Sequence, residues 1–187
     1  MSLALYTSKT KIMSEEKKPK TKKETRKRRK FPTSPIDEVL EFAKSVYKFG
    51  AGNKVRRLSL FDEIGKSPDS GPTRTLITNS GKYGLTKGSY GAEFLELTPK
   101  GKQAVNDDID ELTRRKAQIQ LAITDHPVYL NLYETYVGNK IPSRQVMIDF
   151  VKEYVEDCPE SEATKIVNTF IVNAQHLGVL QTIAGAV

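Results

Sequence analysis

Arg74 stands one turn after Ser70-Gly-Pro, a sequence that reads as a helix start. If Leu76, Ile77, Ser80 and Gly81 face inward, then Arg74, Thr75, Thr78 and Lys82 share the exposed side, with Asn79 at its margin. A guanidinium at such a place pairs bidentately with guanine, a contact worth roughly 1–3 kcal/mol of discrimination. Ser70, Thr73 and the N–H groups of that first turn are suited to holding a phosphate. A glycine-tipped segment further on offers Lys87, Ser89 and Tyr90 to a backbone or a minor groove, and Lys54, Arg56 and Arg57 would flank a duplex. Arg26, Lys27, Arg28, Arg29 and Lys30 form an unbroken cationic run. This is the chemistry of holding a polyanion. A helix face with one Arg, one Lys and several Thr is also an ordinary solvated face, so the pattern alone does not assign sequence reading.

Residue types for catalysis are not brought together. His126 and His176 lie far apart in no metal spacing, and with the single Cys158 they make no structural zinc set. His126 precedes Pro127 and reads as part of a helix start; His176 falls at a helix end, where a cation suits the dipole. The glycines from Gly81 to Gly91 lack the spacing of a phosphate loop, and no nucleophile elbow or paired carboxylates occur. The expectation is a non-enzymatic protein with no cofactor.

The elements that must position these residues are unevenly charged. The chain has 187 residues and a formal charge of +7. Residues 1–31 carry +9, residues 32–105 carry +3, and residues 106–187 carry −5. Residues 14–30 contain no aliphatic or aromatic side chain, so they have nothing to bury and read as a disordered basic arm. Such an arm adds salt-sensitive, sequence-blind affinity for nucleic acid; a solubility tail or a localisation signal is its plainer reading. Met13 is an alternative start, which would make residues 1–12 dispensable. No segment approaches the roughly 20 apolar residues of a membrane span, and the N-terminus lacks the pattern of a signal peptide. One cysteine permits no internal disulfide, which suits a reducing compartment: the cytoplasm and nucleoid of a prokaryote, or a nucleus.

Order is expected from Phe31-Pro32 onward. Ser34-Pro35 with Asp37 and Glu38 reads as a helix start capped by Ser34. Ile36, Val39, Leu40, Ala43, Val46 and Tyr47 then recur at helical spacing up to Gly50. A short helix fits Leu58 to Ile64, and a third, capped by Ser70, runs from about Pro72 to Lys82. A hairpin follows, turning at Lys87 to Gly91 and returning through Ala92 to Thr98, with Phe94, Leu95 and Leu97 as the packing candidates. Three helices and a hairpin make a winged helix over residues 32–105. A connecting helix is expected over residues 106–125, beginning by Gln103 and carrying Val105, Ile109, Leu112, Ile119 and Ile123 on one side. Residues 126–187 form a helical C-terminal half. The fold class is therefore mainly α with a small β-hairpin.

Ser70-Gly-Pro-Thr-Arg-Thr-Leu-Ile, Tyr83-Gly-Leu and Leu97-Thr-Pro-Lys-Gly carry a likeness. Residues 34–180 resemble an uncharacterised bacterial and archaeal winged-helix family in which such a module precedes a helical C-terminal half. The resemblance implies helix-turn-helix architecture and names no ligand.

The second half itself echoes the first. Thr75-Leu-Ile-Thr-Asn-Ser-Gly-Lys-Tyr-Gly-Leu aligns without gaps on Thr169-Phe-Ile-Val-Asn-Ala-Gln-His-Leu-Gly-Val. His126-Pro127 and Gly138 bracket a helix much as Ser34-Pro35 and Gly50 do, with further helices over 143–154 and 161–177 and a strand starting at Val179. A degenerate second winged helix and a plain helical domain both remain open. Two functions follow: binding of nucleic acid, duplex DNA first, through winged helix and arm, or a protein–protein adaptor whose acidic second half binds a partner or itself.

Overall fold

Ile36, Val39, Leu40, Ala43 and Val46 are buried along one stripe of α1 (Ile36–Gly50), as their spacing demands, and Phe42 joins them. The computed structural model describes residues 31–180. The basic arm, with Arg26, Lys27, Arg28, Arg29 and Lys30, lies outside the described residues. After α1 come β1 (Val55–Arg56), α2 (Arg57–Glu63), α3 (Gly71–Lys82), β2 (Thr86–Lys87), β3 (Phe94–Leu97) and α4 (Pro99–Val105). Then follow α5 (Glu111–Ile119), which runs into a π-helical turn (Gln120–Thr124), α6 (Pro127–Tyr136), α7 (Arg144–Tyr154) and α8 (Glu160–His176). The described chain is thus mainly helical, with a three-stranded antiparallel sheet in the order β1-β3-β2. One apolar cluster extends from Phe31 to Leu177, and α1 packs on α3, α4, β3 and α8.

Several local expectations change. Ser34 does not cap α1: Pro35 takes that position, the Ile36 N–H donates to Asn173 Oδ1 at 2.9 Å, and the Ser34 hydroxyl accepts from Asn79. β1 is too short to show period-two patterning, yet it completes the sheet by pairing Val55 with Leu95 and Arg56 with Phe94. Leu95 and Leu97 fill the core, so the alternation of β3 turns Phe94 outward. The expected single connecting helix is broken. Asn106 leaves the helical region and its side chain accepts from the Asp108 N–H, while Asp110 caps α5 through the Thr113 N–H. These short polar side chains compete with the helical backbone, so α4 and α5 are separate and Leu112 is exposed. Gln118 donates to the Ala104 carbonyl across the two helices. The strand anticipated at Val179 is a bend through Leu180.

The echo between the halves has a geometric counterpart. At the end of α3, Tyr83 N–H donates to Asn79 O (2.9 Å), Gly84 to Gly81 (3.0 Å) and Leu85 to Ser80 (3.0 Å). At the end of α8, Leu177 donates to Asn173, Gly178 to Gln175 and Val179 to Ala174, each at 3.0 Å. Gly84 and Gly178 hold φ of 73° and 62°, a left-handed conformation that favours glycine.

Both asparagines of the aligned stretch face inward and hold the same segment. Asn79 Oδ1 accepts from Thr33 N–H (2.8 Å), its amide donates to Ser34 Oγ (2.8 Å), and Asn173 holds Ile36. Tyr83 Oη donates to Ser34 O (2.8 Å) and accepts from Asn173 Nδ2 (2.9 Å). Tyr129 Oη donates to Pro32 O (2.9 Å), and Lys82 Nζ to Phe31 O (2.9 Å). Burial pushes both tyrosine hydroxyls well above their ordinary pKa, keeping them as donors. His126 lies edge-on between Tyr83 and Tyr129, buried, with Nε2 unpartnered; that burial lowers its pKa.

Replacing Asn173 with Ala strands the Ile36 N–H in the core and removes a donor to Tyr83. At roughly 1–3 kcal/mol for a stranded buried group, the expected loss is about 2–4 kcal/mol in urea unfolding. A loss under about 0.5 kcal/mol would show that the segment is held by other means. His126 supplies a second test. The unfolded chain takes up the imidazole proton near pH 6.5, whereas the folded one resists it. Stability is therefore complete above that pH and falls on acidification towards the lowered folded value. His126→Leu should flatten the slope of unfolding free energy on acidification below about pH 6.5; an unchanged slope assigns it to another group.

Candidate nucleic-acid interface

Ser70 begins α3 as expected: its Oγ accepts from Thr73 N–H (3.3 Å) and donates to Thr73 Oγ1 (2.9 Å). Thr73 Oγ1 in turn donates to the Ser67 carbonyl (2.7 Å) and is buried. That corrects its expected place at a phosphate, because its hydroxyl is committed to the turn before α3. The groove beside this turn is lined by Glu38 and Glu41 as well as Lys66 and Ser70, so it presents acid along with the helix N-terminus.

The outward side of α3 is narrower than its spacing suggests. Arg74, Thr75 and Thr78 are exposed, and Thr78 Oγ1 donates back to Arg74 O (2.7 Å). Asn79 is buried at 2% exposure because it holds Thr33 and Ser34. Lys82 is half-buried, since its ammonium reaches back to Phe31. Gly81, expected inside, is exposed.

The hairpin meets this helix through Arg74, whose guanidinium lies 5.5 Å from the centre of the Tyr90 ring. A cation at this distance is attracted to the ring by its quadrupole, and Arg74 remains exposed. Lys87 is exposed opposite Glu96, and Ser89 Oγ accepts from the Gly91 N–H, shaping the tip. The hairpin is braced at its base by Thr98. Its hydroxyl donates to Gly84 O (2.6 Å) and accepts from Gly101 N–H (2.8 Å), and its own N–H donates to Leu85 O (2.9 Å). A side chain at Gly101 would strike the Leu85 carbonyl, so Tyr83-Gly-Leu and Leu97-Thr-Pro-Lys-Gly act as one packed unit.

The three cations near β1 have separate fates. Arg57 is a brace: its side chain, 12% exposed, donates to Ala92 O (3.2 Å), Pro68 O (3.0 Å) and Asp69 (3.2 Å). Arg56 is exposed and pairs with Glu93 (2.9 Å). Lys54 Nζ and Arg56 Cζ lie 4.9 and 6.0 Å from the centre of the Phe94 ring. Phe94 was missed because it was assigned to the core; the apolar alternation of Leu95 and Leu97 was the signal that turns it out.

Among the described residues no three His, Cys, Asp or Glu side chains gather as a metal set, and no helix is long and apolar enough to cross a membrane. No family model, curated protein or solved structure matches the chain.

Arg57 and Lys54 should separate in a stability measurement. Arg57→Ala removes charge-assisted bonds at a half-buried site and should cost about 1.5–3 kcal/mol in chemical unfolding. Lys54→Ala should stay within about 0.5 kcal/mol. Equal effects would mean that Arg57 does not brace the sheet.

Proposed function

We propose that the chain is a non-enzymatic nucleic-acid-binding protein, with duplex DNA as its first ligand. In this reading α1, α2, α3 and the β2–β3 hairpin act as a winged helix, α3 entering the major groove and the hairpin following the backbone. The observation that carries it is the meeting of Arg74 and Tyr90, which makes the first half of α3 and the hairpin tip one continuous surface. The contact set is Arg74, Thr75 and Thr78 on α3, Lys87, Ser89 and Tyr90 on the hairpin, and Lys54 and Arg56 beside it. Thr73, Asn79, Lys82 and Arg57 support them from within.

Electrostatics assigns the larger share of affinity to the arm. Of 30 basic and 23 acidic residues, 12 and 3 fall in residues 1–30, leaving 18 and 20 for residues 31–180. Affinity would then be strongly salt-dependent and only locally sequence-dependent. Function on DNA places the protein at a nucleoid or in a nucleus, as a regulator or a part of a DNA-bound complex. A second reading, a protein–protein adaptor, is favoured by the apolar cavity of about 140 Å³ between α6 and α8, lined by Leu132, Tyr136, Phe170 and Leu180. It is also favoured by the −5 charge balance of residues 106–187.

The test is duplex binding across a salt series by full-length protein, by a variant with Arg26, Lys27, Arg28, Arg29 and Lys30 changed to Gln, and by Arg74→Ala. The arm variant should bind weakly with a shallower salt slope, by about 0.9 for each phosphate that it no longer neutralises. Arg74→Ala should cost about 1–3 kcal/mol on a selected site while leaving the slope nearly intact. An unaffected Arg74→Ala would reduce α3 to a scaffold, and no salt-dependent affinity at all would favour the adaptor.

A further inference from the structure

Phe94 and Tyr90 are aromatic rings of the hairpin left 38% and 47% exposed. Each is accompanied by cations: Lys54 and Arg56 at Phe94, Arg74 at Tyr90. From their nearness we propose that the two rings take unpaired bases, so that the preferred ligand carries a single-stranded stretch beside whatever duplex α3 contacts. This rests on the nucleic-acid reading above and names the ligand class within it.

The arrangement suits bases better than a flat-lying phosphate backbone. Glu93, paired with Arg56, and Glu96, opposite Lys87, stand exposed among the same cations. A duplex laid flat across β1 and β3, rather than touched by the hairpin tip alone, would bring its phosphates against both carboxylates. A neutral base stacked on a ring meets no such repulsion, and its single phosphate can fall to Lys54, Arg56 or Arg74. Bases inside a duplex are stacked on one another and offer no face to Phe94 or Tyr90, whereas unpaired bases do.

The platforms are also held in place before any ligand arrives. Phe94 is fixed by its register with Arg56 in β1, and the preceding Ala92 and Glu93 carbonyls accept from Arg57. Gly88 holds a left-handed φ of 107°, and a side chain there would strike the Phe94 carbonyl, so both its backbone and its surroundings call for glycine. Tyr90 and Phe94 are four positions apart, so their Cα atoms are at most about 14 Å apart, within the span of a few nucleotides.

The experiment compares a blunt duplex, the same duplex with a thymidine overhang, and the overhang strand alone, by fluorescence anisotropy with the full-length protein at one salt concentration. The overhang should strengthen binding by about five-fold or more. Phe94→Ala should remove much of that gain and leave the blunt duplex within about two-fold, and Tyr90→Ala should weaken the overhanging duplex more than the blunt one, since each ring stacks a single base. Phe94→Tyr and Tyr90→Phe should keep the gain, while Phe94→Leu, which preserves apolar bulk and tests folding, should lose it. Equal affinity for blunt and overhanging duplexes, or equal weakening of both by the Ala variants, would overturn the proposal while leaving duplex binding intact. Failure of the unaltered protein to bind any of the three would overturn the nucleic-acid reading itself.

Discussion

The backbone from Phe31 to Pro35 leads into α1 without itself belonging to a helix or a sheet, and its polar groups must still be satisfied. Pro32 and Pro35 carry no N–H, and the carbonyls of Phe31, Pro32 and Ser34 have no ladder to join. Their partners are side chains from α3, α6 and α8, together with Tyr83 just after α3. An interior otherwise filled with Ile, Val, Leu and Phe must therefore accept Asn79, Tyr83, Tyr129 and Asn173 at fixed positions. The same constraint explains why Lys82 leaves the solvent side of α3. It also sets the root of the basic arm at the C-terminal end of that helix, opposite the end that carries Arg74.

A chain whose described part is slightly acidic gains little from long-range attraction to a polyanion. Whatever α3 and the hairpin contribute must come from the local direction of a few donors. Here the geometry is informative, because several cations near the surface are already occupied. Arg57 is spent on holding the β3 return to the turn before α3, and Lys82 on the N-terminal segment. Arg74 differs: it is exposed, with its guanidinium 5.5 Å from the centre of the Tyr90 ring. A formal count of positive residues would weigh all three equally.

The sequence made the stripes of α1 legible, along with the Ser70 cap and the glycine-tipped hairpin, because each depends on neighbours within a turn or two. The clasp that Asn79, Lys82, Tyr83, Tyr129 and Asn173 form on the segment before α1 was not legible. Asn79 reads as the margin of an exposed face and Asn173 as one match in an aligned stretch, and their partners lie 46 and 137 residues away. β1 escaped because two residues show no period, and with it went the reason for Arg56 and Phe94 to meet. The break before α5 was hidden by the helical spacing of Val105, Ile109 and Leu112, though Asn106 and Asp110 are residues that end and begin helices.

The aligned stretches acquire a physical meaning through this clasp. An asparagine placed four residues before the end of a helix has its side chain beside the last turn, where a crossing strand of backbone can be met by both a donor and an acceptor. α3 and α8 each do this, and each closes with the same hydrogen bonds and a left-handed glycine. What coincides between the halves is the machinery for ending a helix against a passing segment, and both copies grip the one segment that passes. The geometric requirement therefore falls on Asn and Gly. The intervening positions vary with their surroundings: Tyr83 needs a hydroxyl to hold Ser34, whereas its counterpart Leu177 needs only to be apolar and buried.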